Sequence, residues 1–163
     1  MADGIIRIYG GNGRGKSPAA LGRAVQAASR GARVVIIQFL KGRGLTESEF
    51  LRRLEPDIKV FRFEKSEEGY DALSPSERED EIVNIRNGIG FARKVLNTGE
   101  CEMLVLDEVL GLVENKIITK EELKEVLSLK GDGIDVIMTG NMVSDELYDL
   151  ADEVTMITTE KSD

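Results

Sequence analysis

The stretch GGNGRGKS, residues 10–17, lies between an apolar segment at Ile5–Tyr9 and an alanine-rich segment at Lys16–Arg30. It fits the pattern G-x-x-x-x-G-K-[ST], in which a glycine-rich loop joins a strand to a helix and wraps its backbone around phosphate groups. The apolar segment has the character of a strand, and the alanine-rich segment has that of a helix closed by Gly31. The sequence therefore predicts a phosphate-binding loop at the start of an α/β domain.

Strand-like and helical segments alternate along the rest of the chain. Strands are predicted at Ile5–Tyr9, Arg33–Phe39, Lys59–Phe63, Met103–Leu106, Ile134–Met138 and Glu153–Ile157. Further helices are predicted from Ser74-Pro75 to about Asn97, from the capping pattern Thr119-x-x-Glu122 to Leu129, and over Asp145–Ala151. Such alternation is typical of an α/β fold with a mostly parallel sheet, here of about six strands, and helices on both faces. Ligands of such sheets bind at the carboxyl ends of the strands.

Each residue type of the loop has a role in binding phosphate. The glycines let a series of backbone N–H groups turn inward around phosphate oxygens. These groups belong to Gly11, Asn12, Gly13, Arg14 and Gly15. Lys16 supplies a positive charge for the β- and γ-phosphates, and Ser17 offers a hydroxyl to Mg²⁺. Pro18 completes the nucleotide-binding stretch and is tolerated because the first helical turn has free N–H groups anyway. The alternative is a glycine-rich turn that binds no ligand.

The segment MLVLDE, residues 103–108, consists of four apolar residues followed by two acids. This is the form of a strand that delivers a metal-holding carboxylate beside a phosphate loop. Asp107 would hold Mg²⁺ near Ser17, directly or through water, and Glu108 would orient a water molecule or a substrate group. The alternative is that Asp107 caps a helix whose first turn contains Glu108.

Other candidate residues also follow predicted strands. Gln38–Gly42 follows the second strand and so points at the same cleft, where Lys41 either meets an anionic ligand or is a solvated loop residue. Thr139-Gly140-Asn141 lies at the end of the fifth strand and either touches the nucleotide or forms a plain turn. The polar loop Glu64–Ser74, which carries Tyr70, is either part of a second-substrate pocket or solvated. Outside the phosphate loop, Gln38, Lys41 and Asn141 are thus the candidate nucleotide contacts.

Composition narrows the possible functions. The chain of 163 residues suits a single domain over residues 1–163, and no stretch approaches the roughly 18 apolar residues needed to span a membrane. A net charge of −8 disfavours a nucleic-acid partner. The absence of histidine and the presence of one cysteine, Cys101, exclude histidine-based catalysis, imidazole metal sites and an internal disulfide. The N-terminal residues lack the basic segment of a signal peptide, so we expect a cytoplasmic protein.

Blocks of sequence along nearly the whole chain resemble the corrinoid adenosyltransferases of the P-loop type. In chain order they are Tyr9–Ser17, Ala19–Gly22, Gln38–Gly42, Val105–Glu108, Thr139-Gly140 and Leu150–Thr155. The combination and the order of these blocks are more specific than any one of them. The chain departs from the family pattern at Pro18, where a second hydroxyl is usual, and at Gln26 and Asn141, where arginines are usual.

The resemblance implies a RecA-like P-loop NTPase fold, a homodimer, and transfer of the 5′-deoxyadenosyl group from ATP to a reduced, Co(I) corrinoid with release of triphosphate. Cobalt(I) is itself the nucleophile, so no protein nucleophile is needed. Lys16 and Glu108 are the candidate catalytic residues, and Lys16, the loop N–H groups and Mg²⁺ would stabilise the leaving triphosphate. Two other interpretations stay open: a different P-loop ATPase or small-molecule kinase, and a nucleotide-binding protein that has lost the transfer chemistry.

Overall fold

The computed structural model describes residues 3–41, 49–141 and 143–163; Gly42, at the end of the block after the second strand, lies outside these ranges. Its sheet consists of β1 (Ile6–Gly10), β2 (Val34–Gln38), β3 (Ile58–Arg62), β4 (Met103–Asp107), β5 (Asp135–Gly140) and β6 (Glu153–Met156). The order across the sheet is β3-β2-β4-β5-β1-β6, and all neighbouring strands are parallel. The predicted six-stranded α/β fold is therefore confirmed, and each strand lies within two residues of its predicted bounds.

Helices connect the strands. They are α1 (Lys16–Ser29), α2 (Glu49–Arg52), α3 (Pro75–Thr98), α4 (Val109–Glu114), α5 (Lys120–Ser128) and α6 (Asp145–Tyr148), with a 3-10 turn at Tyr70–Ala72. The two predicted capping patterns hold, because the Ser74 hydroxyl accepts the Glu77 N–H and the Thr119 hydroxyl accepts the Glu122 N–H. The sequence patterns do not predict the short helix α2, and they offer a helix at α4 only as the alternative role of Asp107. The helix α6 ends three residues earlier than expected. Within the described ranges, no helix is long and apolar enough to cross a membrane.

Two apolar clusters cover the sheet, one on each face. In β2, Val34 and Ile36 belong to the cluster that includes α1, whereas Val35 and Ile37 belong to the cluster that includes α3, α4 and α5. The same alternation occurs in β4. Because successive side chains of a strand point to opposite faces, strands covered on both faces consist of continuous apolar runs, as β2 and β4 do.

The sheet order brings the phosphate loop close to the predicted acid. β5 lies between β1, which leads into the loop, and β4, which ends at Asp107. The strand register sets Gly10 beside Gly140 and Gln38 beside Asp107. The carboxyl ends of β1, β2, β4 and β5 therefore meet at one edge of the sheet, where ligands of such folds bind.

Gly88 and Gly90 in α3 give a matched pair of stability predictions. A methyl group at Gly90 would meet no atom within 4 Å, so Gly90→Ala should raise the free energy of unfolding. The expected gain is about 0.5–1 kcal/mol, the difference in helix propensity between the two residues. At Gly88 the methyl would lie 3.0 Å from Phe39 and 3.2 Å from Phe63, so Gly88→Ala should stabilise less or destabilise. Chemical denaturation measures both; a larger gain from Gly88→Ala would contradict this packing.

Candidate functional site

The phosphate loop ends in a helix N-terminus that no side chain caps. Gly15 occupies the capping position with a φ of 109° and makes no side-chain cap hydrogen bond. Ala19 N–H donates to the Gly15 carbonyl at 2.9 Å, and Pro18 has no N–H to leave unpaired. The N–H groups of Gly15, Lys16 and Ser17 are therefore the ones that the helix itself leaves for an anion, where the helix dipole also favours negative charge.

Gly11 and Gly13 make room for the segment that follows β6. The Gly13 N–H donates to the Ile157 carbonyl at 2.9 Å. A Cβ atom on Gly11 or Gly13 would lie only 2.4 Å or 2.7 Å from that carbonyl oxygen, and Gly11 has a φ of 106°. Both glycines are thus required by close backbone packing within the protein, a reason that the sequence pattern did not indicate.

Two further N–H groups in the first half of the loop also bond to protein atoms. The Gly11 N–H donates to the Asn141 carbonyl at 3.1 Å, and the Arg14 N–H donates to Thr159 Oγ1 at 2.8 Å. Three of the N–H groups predicted to turn toward phosphate are therefore already engaged. Contacts of these three residues with a nucleotide would have to come from other atoms.

The side chain of Lys16 contacts the backbone of the phosphate loop. Its Nζ atom donates to the Gly13 carbonyl at 2.8 Å. Because a lysine side chain is long and flexible, the ammonium group can move from this carbonyl to a phosphate oxygen without a change in the backbone. Asn12 and Pro18 are both exposed, so their side chains are accessible to a ligand.

The carboxylate of Asp107 binds three other side chains although it is only 2% exposed. Its Oδ1 atom accepts hydrogen bonds from Ser17 Oγ at 2.8 Å and from Thr139 Oγ1 at 2.7 Å. Its Oδ2 atom accepts one from Lys41 Nζ at 2.6 Å, and the same ammonium donates to Ser17 Oγ at 2.8 Å. We call these four residues the Asp107 cluster. Lys41 is therefore part of the site and not a solvated loop residue.

Asp107 does not cap a helix. The residue before α4 is Glu108, which has a φ of 65° and makes no side-chain cap hydrogen bond. Asp107 is instead the last residue of β4, and its carboxylate is used entirely within the cluster. The helix-cap alternative is therefore wrong.

Thr139, a candidate nucleotide contact at the end of the fifth strand, is a member of the cluster whose contact with Asp107 the sequence patterns do not predict. It is fully buried near the end of β5, and its hydroxyl accepts the Glu108 N–H at 2.8 Å while it donates to Asp107. It reaches both acids because β5 lies next to β4 in the sheet. The Thr139-Gly140 pair pointed to this region, but not to a contact with Asp107.

The left-handed backbone of Glu108 turns the chain out of β4, and its carboxyl group lies close to the cluster. Burial raises the pKa of this carboxyl, and the negative charge of Asp107 raises it further, whereas Lys41 and Lys16 lower it. Carboxyl groups with raised pKa values beside a cleft are characteristic of functional sites.

A cavity of about 410 Å³ adjoins the cluster at this edge of the sheet. Four of the residues predicted from the sequence line it: Lys41, Tyr70, Glu108 and Asn141. Asp71, Glu114 and Asn115 add further polar groups to the wall. The cavity therefore brings together candidate site residues that the sequence assigned to separate loops.

Gln38 does not reach this cavity. Gln38 is only 1% exposed. It is the last residue of β2, and its partners in the neighbouring strands are Arg62 of β3 and Asp107 of β4. Asp107 is equally buried at the same edge of the sheet, so the contact of Gln38 with the nucleotide stays a prediction.

Comparisons with known proteins agree with these observations. A model of the family described as ATP:corrinoid adenosyltransferase BtuR/CobO/CobP matches residues 2–163. The corrinoid adenosyltransferase of Escherichia coli (strain K12) is 30% identical over 152 residues, which are 93% of this chain and 75% of the relative. The corrinoid adenosyltransferase CobA of Salmonella typhimurium (strain LT2) has the same identity and the same coverage.

Among solved structures, the KaiC-like protein PH0186 from Pyrococcus horikoshii OT3 is similar with a TM-score of 0.60 and 17% identity. The match covers 98% of this chain and 75% of that chain. This likeness concerns the fold alone, and it confirms the expected RecA-like P-loop architecture. The family match over residues 2–163, together with the relatives at 30% identity, shows that this chain belongs to the ATP:corrinoid adenosyltransferase family.

Proposed function

We propose that this member of the family transfers the 5′-deoxyadenosyl group of ATP to the Co(I) ion of a reduced corrinoid. The cobalt electron pair forms the bond to C5′, the bond between C5′ and its oxygen breaks, and triphosphate leaves with that bond's electrons. The Asp107 cluster is the observation that supports this best, because it joins an uncapped helix N-terminus to the wall of a cavity. The helix end suits the triphosphate, and the cavity suits the acceptor.

The protein's tasks in this reaction are positioning and the stabilisation of charge. Cobalt supplies the nucleophile, which is consistent with a chain that has no histidine. Negative charge grows on the triphosphate as its bond to C5′ breaks. The N–H groups of Gly15, Lys16 and Ser17 and the ammonium groups of Lys16 and Lys41 would face that charge. Each gain of about 1.4 kcal/mol in transition-state stabilisation gives a tenfold faster transfer.

Ser17 and Asp107 fit a Mg²⁺ ion. They offer a hydroxyl and a carboxylate oxygen that lie 2.8 Å apart, and oxygen is the ligand type that Mg²⁺ prefers. The Lys41 ammonium binds both residues, and this contact supports a cation at this position. A bound Mg²⁺ would neutralise charge on the leaving triphosphate. Phosphate and water would supply its other ligands, since the described residues contain no metal-binding group of three or more acidic, histidine or cysteine side chains.

The cavity beside the cluster would admit the face of the corrinoid that carries cobalt. Its wall includes Glu114, Asn115 and Asn141, which can form hydrogen bonds with amide groups at the edge of a corrinoid. Glu108 is itself part of this wall and its N–H binds Thr139 of the cluster, so its carboxyl would orient the acceptor. We also propose that the enzyme acts as a homodimer, as the family resemblance implies, and that it is cytoplasmic.

The decisive assay mixes the protein with MgATP and a chemically reduced corrinoid and follows the cobalt–carbon bond by its visible spectrum. We expect equal amounts of adenosylated corrinoid and free triphosphate, formed faster than in the same mixture without protein. Release of phosphate with ADP would instead identify an ATPase, and a phosphorylated acceptor with ADP would identify a kinase. ATP binding with no product at all would identify a nucleotide-binding protein without transfer activity. Any of these results would overturn the proposal.

Replacing Asp107 tests the metal site. Asp107→Asn keeps the size of the side chain but removes its charge, so we expect the affinity for Mn²⁺ in the presence of ATP to fall by roughly 10- to 100-fold, or about 1.4–2.8 kcal/mol. Electron paramagnetic resonance measures free and bound Mn²⁺ directly. The control Asp80→Asn changes an exposed carboxylate of α3 and should leave the affinity unchanged. If Asp107→Asn and the native protein bind Mn²⁺ with equal affinity, Asp107 is not a metal ligand, and its role is limited to holding Ser17 and Thr139.

A further inference from the structure

The turn after β2 has an unusual backbone. Phe39 extends the strand, and its N–H donates to the Asp107 carbonyl at 3.0 Å. Leu40 then adopts a φ of 60°, a left-handed conformation that is uncommon for residues other than glycine. This single residue redirects the chain, so that Lys41 turns back over the end of β4 and reaches Asp107. A leucine in this conformation requires surroundings that hold it there.

The carboxylate of Glu64 provides that hold. Glu64 lies two residues after β3, is 6% exposed, and its Oε1 atom accepts a hydrogen bond from the Leu40 N–H. Leu40 is also the residue directly before Lys41. A buried acid from one strand end thus binds the backbone immediately next to a cation of the Asp107 cluster.

We propose that Glu64 is a positioning residue of the ATP site: by binding the Leu40 N–H it fixes the turn that directs the Lys41 ammonium toward the Asp107 cluster and the triphosphate. This inference rests on the proposed function only in taking the cluster as the place where the triphosphate binds. It does not depend on the identity of the acceptor.

The electrostatic surroundings of Glu64 support a role beyond packing. Burial raises the pKa of Glu64 to about 7, and the nearby Glu81 carboxylate raises it too, whereas the Leu40 hydrogen bond and Arg62 lower it. An ionised acceptor binds an N–H group more strongly than a neutral one. The hold on Leu40 therefore strengthens as the pH rises through neutrality, while a residue that served packing alone would be better apolar.

Glu81 offers a matched control. It is a second buried carboxylate, 5% exposed, and it lies close enough to Glu64 to affect its pKa. Its hydrogen bonds go to the N–H groups of Lys65 and Ser66 and to Asn84, all away from the turn at Leu40. Replacing Glu81 therefore alters the same region without removing the bond to Leu40.

The test measures ATP affinity by calorimetry and folding by thermal denaturation for Glu64→Leu, Glu64→Gln and Glu81→Gln. Glu64→Leu should bind ATP about tenfold more weakly, the effect of one weakened charge-assisted contact. Glu64→Gln keeps a carbonyl acceptor for the Leu40 N–H and should retain most of the affinity. Glu81→Gln should bind ATP as the native protein does. A loss of affinity in Glu81→Gln as large as that in Glu64→Leu would overturn the proposal.

A double-mutant cycle with Lys41→Met separates positioning from a general structural effect. If Glu64 acts through Lys41, Glu64→Leu should cause no further loss of ATP affinity in the Lys41→Met protein. An equal loss in both backgrounds would overturn the proposal. Because the readout is ATP binding, the cycle gives its answer even if the adenosyl-transfer assay fails.

The pH dependence provides a measurement that does not need the leucine variant to fold. The ATP affinity of the native protein should fall relative to that of Glu64→Gln as the pH drops through about 7, because protonation weakens the hold on Leu40. The comparison cancels the titration of ATP itself, which both measurements share. Parallel pH profiles would contradict the inference.

Discussion

The hydrogen-bonded carboxylate of Asp107 is the interaction on which the rest of the site depends. A buried negative charge is tolerated only when cations and hydrogen-bond donors surround it. Here those partners are the hydroxyls of Ser17 and Thr139 and the ammonium of Lys41, which come from α1, from β5 and from the turn after β2. Asp107, at the end of β4, therefore connects the phosphate loop, strand β5 and the cavity wall.

The order of the strands explains both what the sequence could predict and what it could not. The loop at residues 10–17 and the acid of β4 follow local patterns, and both were found where expected. Thr139 joins them because β5 lies between β1 and β4, and a single sequence taken by itself carries no signal for that order. The contacts of Thr159 and Glu64 were missed for the same reason, since each acts on a backbone N–H far away in the sequence. The helix α4 was expected only under the alternative role of Asp107, because its apolar sequence lacks a capping pattern.

Two departures from the family pattern have a physical explanation in the loop. Pro18 lies where α1 has no acceptor for a backbone N–H, so proline forfeits no hydrogen bond there. Asn141 holds the loop through its carbonyl, which binds the Gly11 N–H, so this contact does not depend on its side chain. Asn141 also lines the cavity, where its side-chain amide stands in place of the arginine that is usual in the family. For Gln26, exposed on α1, nothing in the structure explains the change.

The central claim is that the loop holds a triphosphate leaving group while C5′ faces the acceptor. A crystal structure with Mg²⁺ and a non-hydrolysable ATP analogue tests this most directly. The account predicts phosphate oxygens on the N–H groups of Gly15, Lys16 and Ser17, the metal at Ser17 and Asp107, and C5′ directed into the cavity lined by Glu108. A nucleotide whose terminal phosphate points into that cavity, with C5′ enclosed elsewhere, would contradict it and indicate phosphoryl transfer instead.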